Sequence, residues 1–404
     1  MPPPPVAGPS SAHNLPTFSL NDTIIQKFKP AKVFKAAVDA GPPPTPTQRP
    51  SNQGPKQISG ICFDDKGECV ITAGEDETFR LYSCKLGKPM KTLYSKKYGV
   101  DLPRFTHKST AIVYASTKED DTIRYHSLHD NKYLQYFKGH KGRVVSLEVS
   151  PVDDGFMSGS LDKTVRLWDL RSPTCRGLLA LPTPGPLVAY DAGAMVFAVG
   201  VNAYQHILVY DQANFDKAPF LTIKLDDPSL AKITYPPRPI FMTSLTFSSD
   251  GKYILVGCSG NAHYIVDGFD DMILAKLEGH IGLERRGLNA PPSIDPAKGI
   301  SGEEVCFTPD NKYVLGGSLD GNIYVWDVQN LKEKLPPRHD PKSIPVIKPL
   351  NRLEGHKGPA RCVRFNPRFG MLASAGNELA FWLPDMSGDN EDITKDLLRR
   401  KQPT

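Results

Sequence analysis

The stretch 139–172 reads GHKGRVVSLEVSPVDDGFMSGSLDKTVRLWDLRS and contains the pattern that decides the fold. A Gly-His pair opens it, an alternating apolar run and a turn follow, and a second run reaches Ser-Gly-Ser before TVRLWD closes it. The alternation in TVRLWD puts Val165 and Leu167 on one face of a strand and Thr164, Arg166 and Trp168 on the other. The stretch therefore predicts a small antiparallel sheet with tight turns.

Related units recur from residue 57 onward. One ends GGSLDGNIYVWDV (316–328), and another runs GHKGPARCVRFNPRFGMLASAGNELAFWLP (355–384). Alignment on the Trp of Trp-Asp gives seven anchor positions, namely Tyr82, His126, Trp168, Tyr210, Val266, Trp326 and Trp382. Successive anchors are 44, 42, 42, 56, 60 and 56 residues apart. A period of about 40–45 residues is typical of one four-stranded blade of a WD-repeat propeller.

The chain is therefore predicted to be an all-β, seven-bladed WD-repeat β-propeller over residues 17–386. A single blade cannot bury both of its faces, so blades stack radially around a closed ring. The last three spacings exceed the period by roughly 12–18 residues. We assign this excess to loop insertions at 219–239, 281–300 and 331–350, which are rich in proline and polar residues.

The ends of the chain are predicted to lie largely outside the ring. Of the 38 prolines, 13 lie in residues 1–58, which predicts a disordered tail at 1–16 and a Pro-rich loop at 41–56. Residues 387–404 are predicted to form a charged C-terminal tail. Because the last blade supplies only three strands by Trp382, the basic and apolar segment Lys27–Lys35 is predicted to close it as its outer strand.

Composition excludes several classes of protein. No apolar stretch approaches the 18 residues that a membrane span needs, and the N-terminus lacks the features of a secretory signal. There are seven cysteines, an odd number, and they are loosely spaced along the chain. This pattern favours small buried side chains over disulfides or a zinc site. The net charge of +5 is too small to indicate sequence-specific nucleic-acid binding. No cofactor is expected.

Two motifs invite a catalytic or metal-binding interpretation. His140, Ser158 and Asp162 are the residue types of a hydrolytic triad, but no G-x-S-x-G elbow is present. Together with Trp168 they occupy the positions of the buried hydrogen-bonded tetrad of WD blades, and we favour that structural role. His280 and His356 also follow glycine at the start of a blade, so a shared metal site is not expected. The protein is predicted not to be an enzyme.

Two basic and aromatic segments interrupt the blade pattern and are predicted to be loops. They read YSKKYGVD (94–101) and SLHDNKY (127–133). Aromatic side chains mixed with lysine on a rigid scaffold suit peptide capture, including acidic or phosphorylated peptides, although ordinary solvated loops fit equally well. The predicted partner-binding residues are Lys96, Lys97, Tyr98, Asp101, Arg124, His129, Asp130, Lys132, Tyr133 and Arg166, the two arginines being in the third strands of their blades.

Several of these segments also carry a family resemblance. They are AKVF (31–34), LYSKKYGVD (93–101), DDTIRYHSLHDNKY (120–133), VSPVDD (149–154), SGSLDKTVRLWDLRSP (158–173), AVGVN (198–202) and AFWLP (380–384). Together they resemble the WD-repeat subunits shared by the COMPASS histone H3 lysine methyltransferase and the mRNA cleavage, polyadenylation and termination machinery. The resemblance covers about residues 22–384 by blade order and is strongest over 94–173.

The resemblance implies a nuclear, non-catalytic scaffold subunit of COMPASS that supports methylation at transcribed genes. The implied partners are the methyltransferase catalytic subunit, other COMPASS subunits, the phosphorylated tail of RNA polymerase II, cleavage and polyadenylation factors and a protein phosphatase. The alternative is that the protein acts mainly in the 3′-end processing and termination complex. A propeller hydrolase would need an ordered polar cluster with shifted pKa values at the central channel, and a trafficking scaffold would need attached helical repeats. The face that each partner uses stays open.

Overall fold

The computed structural model describes residues 20–39, 56–233, 235–283, 302–334 and 343–385. The predicted tails at 1–16 and 387–404 lie outside these residues, as do residues 41–55 of the predicted Pro-rich loop and most of the predicted insertion at 281–300. The described residues form seven sheets. Their inner strands contact one another in order, and the last contacts the first, so the ring closes.

In each of the first four blades, four antiparallel strands run in chain order from the inner strand to the outer strand. Blade one is β2 (Ile58–Phe63), β3 (Cys69–Gly74), β4 (Thr78–Ser83) and β5 (Lys88–Tyr94), and blade two is β6 (Asp101–Phe105), β7 (Ala111–Ala115), β8 (Ile123–Ser127) and β9 (Lys132–Phe137). Blade three is β10 (Val144–Val149), β11 (Gly155–Ser160), β12 (Thr164–Asp169) and β13 (Ser172–Ala180), and blade four is β14 (Leu187–Tyr190), β15 (Val196–Val201), β16 (His206–Asp211) and β17 (Leu221–Lys224).

The last three blades recruit strands from elsewhere in the chain. Blade five is β18 (Met242–Phe247), β19 (Tyr253–Cys258), β20 (Ala262–Asp267) and β21 (Ile273–Glu278), with β25 (Val346–Ile347) added outside β21. Blade six is β22 (Val305–Phe307), β23 (Tyr313–Gly317), β24 (Ile323–Asp327) and β26 (Asn351–Leu353). Blade seven is β27 (Cys362–Phe365), β28 (Leu372–Ala375), β29 (Leu379–Pro384) and the N-terminal β1 (Phe28–Phe34).

The N-terminal strand closes the ring, as the sequence predicts. β1 pairs antiparallel with β29, from Phe28 opposite Pro384 to Phe34 opposite Leu379. A short helix, α1 (Asp22–Gln26), precedes it, and the side chain of Asn21 caps this helix by accepting from the backbone N–H of Ile24. The two ends of the described chain are thus held together by a strand pairing that removes an open edge from the last blade.

Two of the predicted insertions contain regular structure, so their interpretation as loops was wrong in part. The segment 219–239 contains strand β17, in which Ile223 faces the core and is fully buried. The segment 331–350 forms helix α2 (Leu331–Lys334) and strand β25. β25 pairs in parallel with β21 and thereby covers the outer edge of blade five. Neither segment adds a blade.

The core lies between neighbouring blades. Val165 and Leu167 of β12 pack in the interface with blade four, whereas Trp168 packs in the interface with blade two. This is the division of faces that the alternation predicts. Trp326 and Trp382 are fully buried in the same way in their own blades. Each strand therefore contributes to two interfaces, which is why a blade needs its neighbours to be stable.

The antiparallel strand order divides the loops between two faces of the ring. We call upper the face that carries the turns between second and third strands and the connections from one blade to the next. The lower face carries the turns between first and second strands and between third and outer strands. Residues 95–100 connect β5 to β6 on the upper face, whereas residues 128–131 connect β8 to β9 on the lower face.

Candidate functional site: a tyrosine and arginine cluster between blades one and two

The four tetrad residues of blade three form one hydrogen-bonded chain. Asp162 accepts from Nδ1 of His140 at 2.9 Å, and Nε2 of His140 lies 2.7 Å from Oγ of Ser158. That Oγ also accepts from Nε1 of Trp168 at 2.8 Å. Burial lowers the pKa of His140. Burial opposes the ionisation of Asp162, but hydrogen bonds from Thr164, the Lys141 backbone and His140 bring its pKa to about 2.

This geometry resembles a catalytic triad but cannot act as one. Ser158 is fully buried, and its hydroxyl lies between the imidazole and the indole N–H. A nucleophilic serine must be accessible to substrate and face a group that stabilises the oxyanion. The hydrogen bonds instead tie the connection from blade two to the second and third strands of blade three, which is a structural role.

Blade seven repeats the arrangement and blade six does not. Ser374 joins Nε2 of His356 at 2.6 Å to Nε1 of Trp382 at 2.7 Å. In blade six the serine position is held by Gly316, which has no hydroxyl, so Trp326 donates to the Glu278 backbone oxygen instead. The tetrad role predicted for His280 was therefore wrong in detail. His280 is buried, but its ring stacks on His263 of blade five at 4.3 Å.

The histidines and acids of the described segments offer no metal site. No group of three or more His, Cys, Asp or Glu side chains in those segments could hold a metal ion. The three histidines that follow glycine, His140, His280 and His356, belong to the tetrads or stacks of blades three, six and seven. Each of these histidines contacts side chains in its own region of the ring, so the three do not converge on one site.

A polar cluster that the sequence did not reveal fills part of the central channel. The channel holds a cavity of about 560 Å³ lined by inner strands. Arg104 donates to Oε1 of the fully buried Glu303 at 2.5 Å, and Oε2 of Glu303 accepts from the Ile61 backbone at 2.6 Å. Arg104 also lies 3.6 Å from Glu148, and Arg364 lies 3.9 Å from Glu303. The ion pairs connect blades two, three and seven to the start of blade six, and the Ile61 hydrogen bond adds blade one.

The described lining of this channel cavity contains no histidine and no readily ionised thiol. The nearest thiol, Cys62, has its pKa raised to about 11 by burial, which makes it a poor nucleophile at neutral pH. Arg104 and Glu303 satisfy each other, and no histidine lines the described part of the cavity. The polar residues of the cluster alternate with apolar residues along the inner strands, a pattern that is ordinary for a blade core. This alternation was the only feature of the sequence that could have indicated the cluster.

The two predicted partner-binding segments come together through their tyrosines. Tyr98, on the upper connection between blades one and two, packs edge-on against Tyr133 of β9 with ring centroids 6.2 Å apart. The guanidinium of Arg124 lies 3.7 Å from the Tyr98 centroid and 5.9 Å from that of Tyr136. We call these four residues, Tyr98, Arg124, Tyr133 and Tyr136, the Tyr98 cluster. It lies in the groove between the outer parts of blades one and two.

Local strand geometry explains this convergence. A register shift between Tyr125 and His126 inserts Leu134 as an extra residue in β9. Because of that bulge, Tyr133 and Tyr136 both lie beside residues of β8 that face blade one, although they are three positions apart. The prediction that residues 127–133 form a loop was wrong for Ser127, which ends β8, and for Lys132 and Tyr133, which lie on β9. The predicted loop at 94–101 likewise begins on β5 with Tyr94 and ends on β6 with Asp101.

Arg124 is a core residue of this cluster and not a surface contact. It is 2% exposed and forms two hydrogen bonds with Asp120, at 2.8 and 2.9 Å. Although burial opposes ionisation of Asp120, the hydrogen bonds from Arg124 hold the pKa of that carboxyl below its ordinary value. The expectation that Arg124 contacts a partner directly was wrong, because strand β8 buries it under Tyr98 and beside Asp120.

The other predicted residues divide between the two faces. Lys96 and Lys97 are exposed on the upper face, with their ammonium groups 5.7 Å from the Tyr94 ring and 5.1 Å from the Tyr98 ring. Asp101 begins β6 and accepts from Arg143 at 2.9 Å. His129, Asp130 and Lys132 are exposed around the lower turn of blade two. A partner confined to one face would therefore contact either Lys96 and Lys97 or the exposed residues of the lower turn, and not both sets.

Comparison with known proteins agrees with the architecture. The WD domain, G-beta repeat, matches residues 47–83, 131–169, 303–327 and 347–379. WD repeat-containing protein 82 of Drosophila melanogaster is 40% identical over 90% of this chain and 97% of its own length. Set1 complex component swd2 of Schizosaccharomyces pombe is 33% identical over 81% and 92%, and COMPASS component SWD2 of Saccharomyces cerevisiae is 32% identical over 91% and 99%.

This chain belongs to the WD-repeat family of these three proteins. The alignments with the Drosophila and Saccharomyces proteins cover 90% and 91% of this chain, so they extend over most of the ring and not merely a few blades. As a WD-repeat propeller, the protein offers a rigid ring with short protected edges and loops on both faces. No helix in the described ranges is long and apolar enough to cross a membrane.

Proposed function

We propose that this WD-repeat protein is a non-catalytic scaffold subunit of a COMPASS-type histone H3 lysine methyltransferase complex in the nucleus. The observation that carries the proposal is the alignment, over nearly the full length of both chains, with a relative named as a COMPASS component. A second relative is named as a Set1 complex component. A propeller whose polar clusters are closed by internal hydrogen bonds fits such a role, since binding surfaces on rigid scaffolds lie in loops.

The upper edge of the Tyr98 cluster is the surface that we propose for the methyltransferase side of the complex. Lys96 and Lys97 stand exposed above a base of packed aromatic rings. The Arg124 and Asp120 pair beneath fixes the position of Tyr98. A preorganised basic and aromatic surface loses little side-chain entropy when it binds an acidic segment.

The experiment is affinity purification of the tagged full-length protein from nuclear extract, with its partners identified by mass spectrometry. Wild type should recover the methyltransferase catalytic subunit. The double variant K96E/K97E should lose it while keeping the melting temperature, because exposed charges contribute little to stability. The matched control is K85E/K88E, which reverses two exposed lysines of the same blade at its lower end.

Three results would contradict the proposal. Recovery of cleavage and polyadenylation factors without any methyltransferase would assign the protein mainly to 3′-end processing. Full recovery of the methyltransferase by K96E/K97E would remove the proposed surface. Equal loss in both double variants would indicate a general effect of charge and no specific contact on the upper face.

A further inference from the structure

Three blades carry an arginine at the same position of the third strand, two residues before the anchor. Each of these arginines follows an aspartate by four residues in the sequence. The pairs are Asp76 and Arg80, Asp120 and Arg124, and Asp162 and Arg166. An equivalent place in equivalent strands makes the three sites directly comparable, so a difference between them has a local cause.

In blades one and two, the arginine is neutralised by its own aspartate. Nη2 of Arg80 lies 2.7 Å from Asp76, and Nη1 of Arg124 lies 2.8 Å from Asp120. Both arginine side chains are largely buried, with 12% and 3% of their surface exposed. The guanidinium at this position is thus placed to donate hydrogen bonds to a carboxylate with good geometry.

In blade three the same pairing does not form. Asp162 is occupied by His140 at 2.9 Å, by the Thr164 hydroxyl at 2.7 Å and by the Lys141 backbone at 3.0 Å. Across the described residues, Arg166 has no hydrogen-bonded or ion-paired partner, and its Nε is buried without one. The centroid of the Trp168 ring lies 5.9 Å from its guanidinium, and Gly139 packs so closely that a Cβ there would meet Nη1 at 2.5 Å. Of the three arginines, Arg166 is the one without a paired carboxylate among the described residues.

The residue at the tetrad histidine position explains the difference. His140 lies 28 residues before the anchor Trp168, and Tyr98 lies 28 residues before the anchor His126. In blade two that position holds a tyrosine, which covers the face of Arg124 and leaves Asp120 free to pair with it. In blade three the histidine takes the aspartate, and among the described residues no tyrosine stacks on Arg166 as Tyr98 stacks on Arg124.

The surroundings of Arg166 favour an acidic and partly apolar ligand. Arg166 lies opposite Leu178 of β13, which is 49% exposed. Lys138, Lys141 and Lys163 are exposed on the adjacent upper loops. Neither flanking outer strand, β9 (KYLQYF) or β13 (SPTCRGLLA), contains a carboxylate. Asp121 and Asp162 both interact electrostatically with His140 at this site, but neither is paired with Arg166. The groove between blades two and three therefore presents an arginine that has no paired carboxylate among the described residues, beside apolar surface.

We propose that Arg166 binds a glutamate or aspartate side chain of an extended segment from a partner protein, with an adjacent apolar residue of that segment on Leu178. The partner carboxylate takes the place at Arg166 that Asp120 takes at Arg124. The inference rests on the proposed scaffold function only in taking the ligand to be a segment of a partner protein. The carboxylate preference comes from the two neighbouring blades.

The test is fluorescence anisotropy of the full chain with three labelled peptides of alternating sequence. The first, LELELE, carries carboxylates; the second replaces each glutamate with glutamine; the third replaces each glutamate with phosphoserine. R166Q should weaken binding of the glutamate peptide by at least ~10-fold, since one charge-assisted hydrogen bond is lost. R176Q is the matched control, because Arg176 is an exposed arginine of the same blade that pairs with Asp169. It should change binding less than ~2-fold.

Several results would overturn the inference. They are equal weakening by R166Q and R176Q, equal binding of the glutamine and glutamate peptides, tighter binding of the phosphoserine peptide, and no binding of the glutamate peptide by wild type at about 1 mM. Failure here is separable from failure of the proposed function. If wild type recovers the methyltransferase but R166Q binds the glutamate peptide normally, the scaffold function stands and this site does not.

Discussion

The guanidinium carbon of Arg124 lies 3.7 Å from the centre of the Tyr98 ring. This contact joins the connection between two blades to a buried strand, and it stacks an ion-paired cation on an aromatic face. It also turns a tyrosine that the sequence places on a loop into a fixed part of the scaffold. The two exposed lysines that precede Tyr98, Lys96 and Lys97, are presented from that base.

Tyr98→Ala is expected to destabilise the protein by about 1–2 kcal/mol, because it removes a desolvated cation–π contact and an edge-on tyrosine contact. Urea unfolding measures the change. The control is Tyr94→Ala, since Tyr94 is 64% exposed and the Lys96 ammonium lies 5.7 Å from the centre of its ring. The control should cost less than about 0.5 kcal/mol. Equal losses for the two variants would show that the Arg124 contact contributes nothing specific.

Deletion of residues 1–40 is expected to lower the melting temperature by roughly 10 °C or more, because it removes β1 and reopens the edge of β29. It also removes the buried side chains of Ile25 and Phe28. Deletion of residues 1–16 is the matched control and should leave the melting temperature unchanged. Scanning calorimetry measures both. If the two deletions behave alike, β1 does not stabilise the ring.

Ser158→Ala and Ser374→Ala are each expected to destabilise the protein by about 2 kcal/mol, since each leaves a buried imidazole and a buried indole N–H without their shared partner. The two losses should be similar, because the same hydrogen bonds are made in blades three and seven. Thr92→Ala, at an exposed position of β5, serves as the control. A loss below about 0.5 kcal/mol at either serine would contradict the tetrad as a source of stability.

Acidification is expected to destabilise the protein between about pH 6.5 and pH 4. Burial lowers the pKa of His280 and His356 to about 4, from an ordinary value of 6.5. The unfolded chain takes up these protons as the pH falls below 6.5, and the folded chain does not until about pH 4. Stability is therefore complete above 6.5 and falls through this window, by about 3 kcal/mol per histidine.

Urea unfolding at steps of pH measures this slope. Burial also lowers the pKa values of His126, His140 and His263, so their contributions have the same sign. His107 opposes them weakly, since Asp65 raises its pKa on the surface. Replacement of His356 with glutamine should flatten the dependence. A profile that stays level from pH 7 to pH 4.5 would show that these imidazoles are not held neutral by the fold.

The blade count, the division of faces along β12 and the closing strand could all be predicted from the sequence. Period-two alternation fixes which side of a strand Val165 and Trp168 occupy, and the anchor spacing repeats because each blade is the same unit. The closing strand follows from counting the strands of the last blade, which number only three by Trp382. These are local regularities, since a strand interacts first with its chain neighbours through backbone hydrogen bonds.

The side-chain partnerships could not be predicted in this way. Arg104 and Glu303 are 199 residues apart and meet only because the ring brings inner strands to one channel. Tyr133 reaches Tyr98 only because a bulge in β9 changes which side it faces. Both contacts depend on distances across the ring, which no repeat period encodes.

The arginines of the third strands show the boundary between the two kinds of information. The sequence by itself determined that Arg80, Arg124 and Arg166 occupy equivalent places, each four residues after an aspartate. Only the tertiary structure decided that Asp162 pairs with His140 and leaves Arg166 open. The reason is that a buried carboxylate has few lone pairs to share among donors. Which donor takes them depends on the side chain that the connection from the preceding blade places beside the carboxylate.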